Sequence, residues 1–325
     1  MSKLNSPVLI IAYNRYSNFK TLLNSLRLYK SKIYISIDGP KNNHDKVEQL
    51  KIVNLIKKIQ KSYKIKYRVL KKNYGCQKAV FSALDWFFLH EKKGIILEDD
   101  TLPSPSFFNF CNKLLIKYYN DKKIFSISSY TPLKKTKTNA DYFFSKLFMC
   151  WGWATWRSRW LIAKKLIPKK KWTKALRSKE FELFLNDNIK KKYFKKIYNL
   201  ILSNKLDSWA FLWLLFGIVN RSKFILPKYN LIQNTGTQTY GTNFSPSKFE
   251  YANFKTTKFK IKQYPQKNSY DEKLDSLLFN NNYRPKNQLY PWRIIFLVKS
   301  LLFDTKFFFT KLVFFVKKKI DKSTN

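Results

Sequence analysis

Short apolar runs alternate with longer amphipathic segments over the first 130 residues of the chain. The runs are of strand length and lie at 7–15, 33–39, 65–70 and 94–100. The segments between them space their apolar residues as amphipathic helices do and lie at 17–29, 44–61 and 74–90. Strand, helix, strand repeated in this way predicts an α/β fold with a parallel sheet and right-handed crossovers.

Each predicted strand ends in distinctive polar residues. In chain order these are Asn14 and Arg15, then Asp38, then Asn73 and Gly75, then Glu98 with Asp99 and Asp100. A single Asp or Asn would indicate only a turn. Parallel sheets bind ligands outside the carboxyl ends of their strands. Four polar groups that project to one edge therefore favour a binding site over four unrelated turns.

The run Glu98, Asp99 and Asp100 places three carboxylates side by side in a chain of net charge +44. Favourable charge at the start of the next helix, at Pro105, would explain one acid but not three. Carboxylates of this kind bind Mg²⁺ or Mn²⁺ together with phosphate oxygens. Strand geometry places Glu98 and Asp100 on one face and Asp99 on the other. We therefore expect Asp100, with Glu98, to bind metal, and Asp99 to reach a ribose or a metal-bound water.

Basic groups near the triplet extend this site. Arg15 after the first strand, and Gln77 with Lys78 at the start of the third helix, predict a cradle for a cation and a diphosphate. The chain has only two histidines, and its three cysteines form no C-x-x-C pair. Zinc sites, disulfide frameworks and histidine-dependent triads are therefore disfavoured, and a reducing, cytoplasmic setting is expected. The first 15 residues show no signal peptide.

The chain has three predicted parts: residues 1–130, which carry the strand and helix alternation, the less regular residues 131–285, and a basic tail at 286–325. The charges within 290–320 fall in an arc of roughly 160° on a helical wheel. This pattern predicts an amphipathic helix on an anionic membrane surface, closed by three lysines at 317–319. Packing of the same face on the globular part is the alternative.

The tryptophan-rich stretch 150–160 offers rings that could stack on the apolar faces of sugars. Trp156 and Trp160 have helical spacing and are expected in the core. Trp151 and Trp153, on either side of Gly152, are assigned to the site.

Several motifs occur in order along the chain: "PVLIIAYNR", "IDGP", "GIILEDDTLPSPSFF", "WGWATWRSRW" and "DSW". In this order they resemble the GT-A glycosyltransferases of the N-acetylglucosaminyltransferase I-like group, especially its bacterial members, from about residue 7 to 245. The resemblance implies a UDP- or GDP-linked sugar donor bound over the sheet, with the acidic triplet as a D-x-D-type motif. It also implies that residues 1–130 form the nucleotide-sugar (donor) binding subdomain and residues 131–285 the acceptor-side subdomain, and that the acceptor is a glycan or a lipid-linked glycan.

Carried over by residue, the resemblance implies that Arg15 and Asp38 contact the nucleotide and that Asp100 binds the metal. Asp207 lies at or beside the position of the catalytic base, with Ala210 at the alternative position. The sequence departs from similar proteins at Asn243, where His is common after Gly-Thr. The expected activity is a metal-dependent inverting transfer at the inner face of the cell membrane, in surface glycan assembly.

Two alternatives remain. The net charge of +44 and the interleaved aromatic residues are compatible with a nucleic-acid-binding protein without catalytic activity. That class lacks support from any RNP-type or zinc-finger signature, and nucleic acid is not an expected partner. A nucleotidyltransferase would use similar carboxylates but needs a glycine-rich phosphate loop, and "AYNRYSNF" after the first strand contains no glycine.

Overall fold

A computed structural model describes residues 5–60, 63–133, 136, 138–236, 255–267, 269–285 and 288–289. In these ranges the strands are β1 Val8–Ala12, β2 Ile33–Ile37, β3 Ile65–Val69, β4 Lys93–Glu98, β5 Thr101–Pro103, β6 Ile124–Ser128, β7 Tyr142–Ser145, β8 Trp153–Trp156, β9 Lys223–Pro227 and β10 Ile232–Asn234. The helices are α1 Tyr16–Ser25, α2 Asn43–Ile59, α3 Cys76–His90, α4 Pro105–Lys117, α5 Arg157–Lys164, α6 Lys169–Ala175, α7 Lys179–Phe184, α8 Asn188–Leu202, α9 Trp209–Val219 and α10 Glu272–Tyr283.

Eight strands form one mixed sheet in the order β3-β2-β1-β4-β8-β6-β9-β7. The first four are mutually parallel, as the alternation of apolar runs and helices predicts. β8 then runs antiparallel to both β4 and β6, while β9 is parallel to β6 and β7 closes the edge antiparallel to β9. The predicted α/β class with a mostly parallel sheet and flanking helices is confirmed.

Burial explains the strand sequences. β1 and β2 are buried along their whole length, as expected of central parallel strands with helices on both faces. β3 is at the sheet edge and is only half-buried, so its sequence alternates Lys and Arg with apolar residues. α3 packs on the sheet through Val80, Leu84 and the Phe87–Phe88 pair, the face that its periodicity predicts.

The start of α4 agrees with its sequence in position but not in detail. Ser104 precedes the helix and Pro105 is its first residue. The Ser104 side chain forms no capping hydrogen bond, and its buried hydroxyl has no partner among the described residues. α4 therefore begins through the fixed backbone of proline rather than through a side-chain cap.

The second half of the chain completes the same sheet. β8 and β9 come from the predicted acceptor-side subdomain, yet β8 inserts directly between β4 and β6. α9 is apolar around most of its circumference and is buried almost throughout. Arg159 of α5 is also buried, and its guanidinium donates to the carbonyls of Tyr118, Tyr119, Asp121 and Ile124.

No helix in the described ranges combines the length and the apolar character that crossing a bilayer requires. The predicted amphipathic tail, beginning at residue 286, lies almost entirely outside the described residues, as does the loop that contains Asn243.

Candidate functional site

The acidic triplet lies where β4 ends, at the carboxyl edge of the parallel strands. Nη1 of Arg15 donates to Oδ1 of Asp99 at 3.0 Å and to Oδ2 of Asp100 at 2.9 Å. The second oxygen of Asp99 accepts from the backbone N–H of Tyr13 at 2.9 Å. The strand-like alternation expected for Asp99 and Asp100 is therefore wrong. β4 ends at Glu98, and the turn that follows directs both aspartates to the same guanidinium.

Among the described residues, the acidic triplet is paired with one positive charge, that of Arg15, for three carboxylates. Burial, followed by the charges of Asp100 and Asp99, raises the pKa of Glu98 to about 8, against the opposing effect of Arg15. Burial also raises the pKa of Asp100 to about 6, although Arg15 lowers it in part. The pKa of Asp99 is raised by burial as well. Three carboxylates share one guanidinium, so full ionisation would leave two unbalanced negative charges.

The segment directly after β10, Thr235 and Gly236, lies against Asp100. β10 pairs with β5, and the backbone N–H of Thr235 then donates to the carbonyl of Asp100 at 2.7 Å. Asn18 of α1 donates to the Thr235 hydroxyl at 2.8 Å and fixes this loop. A Cβ built on Gly236 would lie 2.4 Å from Oδ2 of Asp100. Only glycine fits this close approach, and sequence analysis did not identify Gly236 as a site residue.

The donor set fits a divalent cation that shares its ligands with a phosphate. No group of three or more His, Cys, Asp or Glu side chains could hold a metal by itself in the part of the chain that the structure describes. Mg²⁺ and Mn²⁺ sites commonly use only one or two protein carboxylates, with phosphate oxygens and water completing the shell. Asp100 and Glu98 supply such carboxylates, and the unbalanced negative charge of the cluster favours a dication.

Asp38 and Asn73 are brought together as the sequence predicts, but they bind each other. Nδ2 of Asn73 donates to Asp38 at 3.0 Å. The same carboxylate accepts the backbone N–H groups of Gly39, Tyr74 and Gly75. Both residues therefore hold the loop between β3 and α3, and their contact with a nucleotide stays a prediction.

The DSW motif at 207–209 ties α9 to the start of α3. Oδ1 of Asp207 accepts the backbone N–H of Gln77 at 2.9 Å. Gly75 has φ +78°, and a Cβ there would lie 2.7 Å from Oδ2 of Asp207. Lys78, in the same first turn, is exposed.

Two residues of this region connect Asp207 with the acidic triplet. The Cys76 thiol has a raised pKa, caused first by burial and then by the charges of Glu98 and Asp207. The Trp209 indole forms a hydrogen bond with Glu98 and lowers its pKa. Asp207, the predicted base, therefore belongs to the same neighbourhood as Glu98.

The tryptophans divide differently from the prediction. Trp153 is 1% exposed, and its ring packs on Trp213 at 4.7 Å and on Trp209 at 5.4 Å. Its assignment to the site is wrong, because β8 is a central strand. Trp156 and Trp160 are buried, as predicted. Trp151 is half-buried against the ring of Tyr130 at 4.4 Å, and its role as a sugar platform stays a prediction.

Sequence analysis also missed the hub at Asp45, a buried residue in the first turn of α2. Its carboxylate accepts from the Tyr13 hydroxyl, from Nδ2 of Asn14 at 2.7 Å and from the Lys41 N–H at 2.9 Å. Burial raises the pKa of Asp45, but these hydrogen bonds lower it more, so the net shift is downward. The hub fixes the two residues that precede Arg15. The only sequence signal is the capping pattern Asn42-x-x-Asp45.

No protein-family model matches the chain, and a search of curated proteins finds none that matches. Solved structures that are similar to parts of it include the following three. GalNAc-T7, crystallised with UDP, GalNAc and Mn²⁺, is 12% identical over 51% of this chain and 37% of its own, with a TM-score of 0.37. The mannosyltransferase PcManGT from Pyrobaculum calidifontis, in complex with GDP-Man and Mn²⁺, is 14% identical over 50% of this chain and 47% of its own, with a TM-score of 0.36.

The third is the 4-diphosphocytidyl-2C-methyl-D-erythritol synthase from Anaerococcus prevotii, 14% identical over 57% of this chain and 77% of its own, with a TM-score of 0.28. The chain thus spans less than half the length of the first two proteins. TM-scores this low carry no functional argument.

Proposed function

We propose that this protein is a divalent-metal-dependent GT-A glycosyltransferase. It would transfer a sugar from a UDP- or GDP-linked donor to a hydroxyl acceptor. The observation that carries the proposal is the arrangement of Arg15 with Asp99 and Asp100 at the carboxyl edge of a parallel sheet, short of positive charge and covered by Gly236. Such an edge is where open α/β sheets bind ligands, and the charge deficit suits a cation and its diphosphate.

Each side chain has a role in this proposal. Asp100, with Glu98, would hold Mn²⁺ or Mg²⁺, and the chemistry that such an ion supplies when bound is Lewis-acid stabilisation of the diphosphate leaving group. Arg15 carries five N–H donors, while both of its carboxylate contacts use Nη1. It can therefore orient the acidic turn and reach a phosphate. Lys78 and the first turn of α3 add positive potential at the same edge.

Asp207 would accept the proton of the acceptor hydroxyl as a general base. The hydroxyl oxygen then attacks the anomeric carbon from the face opposite the diphosphate, the bond between that carbon and the diphosphate oxygen breaks, and the nucleoside diphosphate leaves with the electron pair, so that the configuration inverts. This single displacement needs no nucleophilic side chain, in keeping with a chain that contains only two histidines. A nucleotidyltransferase would need a glycine-rich phosphate loop after β1, and the segment "AYNRYSNF" at that place contains no glycine.

The acceptor would be a glycan or a lipid-linked glycan in surface polysaccharide assembly. The basic, amphipathic pattern of residues 290–320 supports a site of action at the inner face of the cell membrane. Flotation with anionic liposomes, comparing the full chain with one that ends at Gln288, tests this location. Equal flotation of both proteins would contradict it.

Calorimetric titration of UDP and GDP, with and without Mn²⁺, tests the donor site. We expect binding that needs Mn²⁺ and is lost in Asp100→Ala but kept in Glu180→Ala, which removes an acid paired with Arg221 outside the triplet. Absence of nucleotide binding to the wild type under every condition would overturn the proposal. Tight, salt-sensitive binding of unrelated DNA in that case would favour the nucleic-acid alternative.

Asp207→Asn tests the base without removing the cap of α3, because the amide oxygen can still accept the Gln77 N–H. We expect Mn²⁺-dependent nucleotide binding to persist and sugar transfer to fall by at least about 10²-fold. Transfer at the wild-type rate would exclude Asp207 as the base but leave the donor site intact.

A further inference from the structure

A shallow cavity lies on the outer face of α4, away from the acidic triplet. It has a volume of about 320 Å³, and we call it the α4 groove. Its lining residues are Asn109, Phe110, Lys113, Phe259, Lys260 and Ile261. None of them belongs to the donor site. The volume is at the lower end of the range for small-molecule pockets, enough for a ligand of modest size.

The floor of the groove is apolar and its rim is polar. Phe110 and Ile261 are buried, and the Phe259 ring stands 6.1 Å from that of Phe110. Asn109, Lys113 and Lys260 are exposed above this floor. An aromatic floor packs against the C–H face of a sugar ring, while amide and ammonium groups donate to its oxygens.

The wall opposite α4 is held in place by side chains outside the groove. The backbone N–H of Phe259 donates to the Ser106 hydroxyl at 2.8 Å. Further along, Oδ2 of Asp141 accepts the N–H groups of Lys262 and Gln263 at 2.6 and 2.7 Å. Both ends of the lining segment are thus pinned to the body of the protein. A preformed wall lowers the entropy cost of binding.

The rim carries positive charge that no acid in the described part of the chain pairs with. Among the described residues, neither Lys113 nor Lys260 takes part in any of the salt bridges. Lys113 reaches only the carbonyl of Ile261, at 3.5 Å, which leaves most of its donor capacity unused. Asp141, the acid on this wall, is occupied by the two backbone N–H groups. A ligand with its own negative charge complements this rim.

From these features we infer that the α4 groove binds an acidic sugar unit, one that carries a carboxylate, within the acceptor glycan. The inference rests on the proposed function only in assigning that sugar to the acceptor. Along the chain, β5 and the first turn of α4 lie between Asp100 and Asn109, and no residue lining the groove belongs to the acidic triplet. A sugar unit in the groove would therefore be a different unit from the one transferred, which suits an acceptor made of several sugars.

Calorimetry with a hexuronate-containing hexasaccharide and with its carboxyl-reduced, neutral counterpart tests the inference. The protein variant is Lys113→Gln with Lys260→Gln. The matched control is Lys57→Gln with Lys58→Gln, which removes the same charge from exposed residues at the end of α2. Salt at about 0.15 M suppresses diffuse attraction to the basic surface.

We expect the acidic hexasaccharide to bind the wild type and the control alike, and the groove variant roughly five- to tenfold more weakly. Phe259→Leu should weaken binding of the same probe. Equal binding to the groove variant and the control would show attraction to net charge alone and overturn the inference. Equal binding of the neutral hexasaccharide would overturn the role of the carboxylate.

Two further measurements on the same proteins separate the remaining outcomes. In the first, anionic vesicles replace the hexasaccharide. If the groove variant binds the vesicles more weakly than the control does, while both variants bind the hexasaccharide equally, the groove is a membrane contact and the inference is wrong. Mn²⁺-dependent UDP or GDP binding is measured in parallel. Intact nucleotide binding without any hexasaccharide binding would refute this inference and leave the proposed function standing.

Discussion

Replacing Gly236 by alanine should weaken metal-dependent nucleotide binding although the residue is not a ligand. A Cβ at this position would lie 2.4 Å from Oδ2, 2.9 Å from Cβ and 3.0 Å from Cγ of Asp100. All three contacts are with one side chain, so the carboxylate or the loop must move by roughly half an ångström or more to relieve them. Asp100 also holds Arg15 through Oδ2, and the displacement would disturb that contact.

The magnitude follows from this geometry. Misplacing a functional group by about 1 Å can cost about 10²-fold. A shift of about half that size should weaken Mn²⁺-dependent UDP or GDP binding by about 10-fold, equivalent to about 1.4 kcal/mol. The loop itself stays anchored by Thr235, whose backbone N–H bonds to the Asp100 carbonyl. Global stability should therefore change by less than about 1 kcal/mol.

Gly217→Ala is the matched control, since it makes the same substitution at another crowded glycine. A Cβ there would lie 2.4 Å from the Phe224 ring, in the core between α9 and β9. We expect Gly217→Ala to lower the melting temperature in thermal unfolding and to keep the nucleotide affinity in calorimetry. We expect Gly236→Ala to lower the nucleotide affinity and to leave the melting temperature almost unchanged. Wild-type affinity in Gly236→Ala would refute the view that this loop sets the position of Asp100.

Three other changes follow from the same structure. Asp45→Asn replaces a carboxylate that accepts three hydrogen bonds, so urea unfolding should show a free energy of unfolding lower by about 1–3 kcal/mol, and calorimetry a weaker nucleotide affinity. An unchanged nucleotide affinity would contradict a role for Asp45 in placing Arg15. The raised pKa values of Glu98, about 8, and Asp100, about 6, mean that the folded protein keeps protons that the unfolded chain has lost. The stability that these bound protons contribute is complete below the ordinary carboxyl range and is lost as pH rises through about 6 to 8. The Mn²⁺-dependent nucleotide affinity should rise over the same pH range, because the cation competes with those protons. A nucleotide affinity that calorimetry finds independent of pH would refute this. Arg159→Lys leaves at least one of four carbonyls, two of them buried, without a donor, so denaturant unfolding should show a loss of about 1–3 kcal/mol. A neutral effect would contradict a stabilising role for these hydrogen bonds.

The parallel half of the fold could be predicted because its signals are local. Buried parallel strands such as β1 and β2 read as continuous apolar runs, and α3 shows its buried face through its own spacing. The antiparallel insertion of β8 between β4 and β6 leaves no such signal. Trp153 was assigned to the site for that reason, since nothing in the stretch 150–160 shows that its neighbours are two buried strands.

The acidic site was predicted in its residues but not in its geometry. Alternation along a strand holds only while the strand lasts, and β4 ends one residue before Asp99. The contact between Gly236 and Asp100 joins residues more than a hundred positions apart, so no local pattern could indicate it. The Asp45 hub was missed for a similar reason, because its partners Tyr13 and Asn14 belong to a different crossover.

The charge balance of the triplet answers why a chain of net charge +44 places three acids together. Most lysines among the described residues are exposed. Dissolved salt screens exposed charges beyond about 10 Å, so they neutralise poorly carboxylates that burial has desolvated. Arg15 neutralises one negative charge, and the raised pKa values of Glu98 and Asp100 report the remainder. Burying these carboxylates destabilises the folded protein, and replacing either one by an apolar residue would remove that cost in stability. Packing alone therefore gives no reason to keep both acids. The cost is understandable if a cation binds there during function, because each carboxylate is then held ionised by the ligand that it recognises.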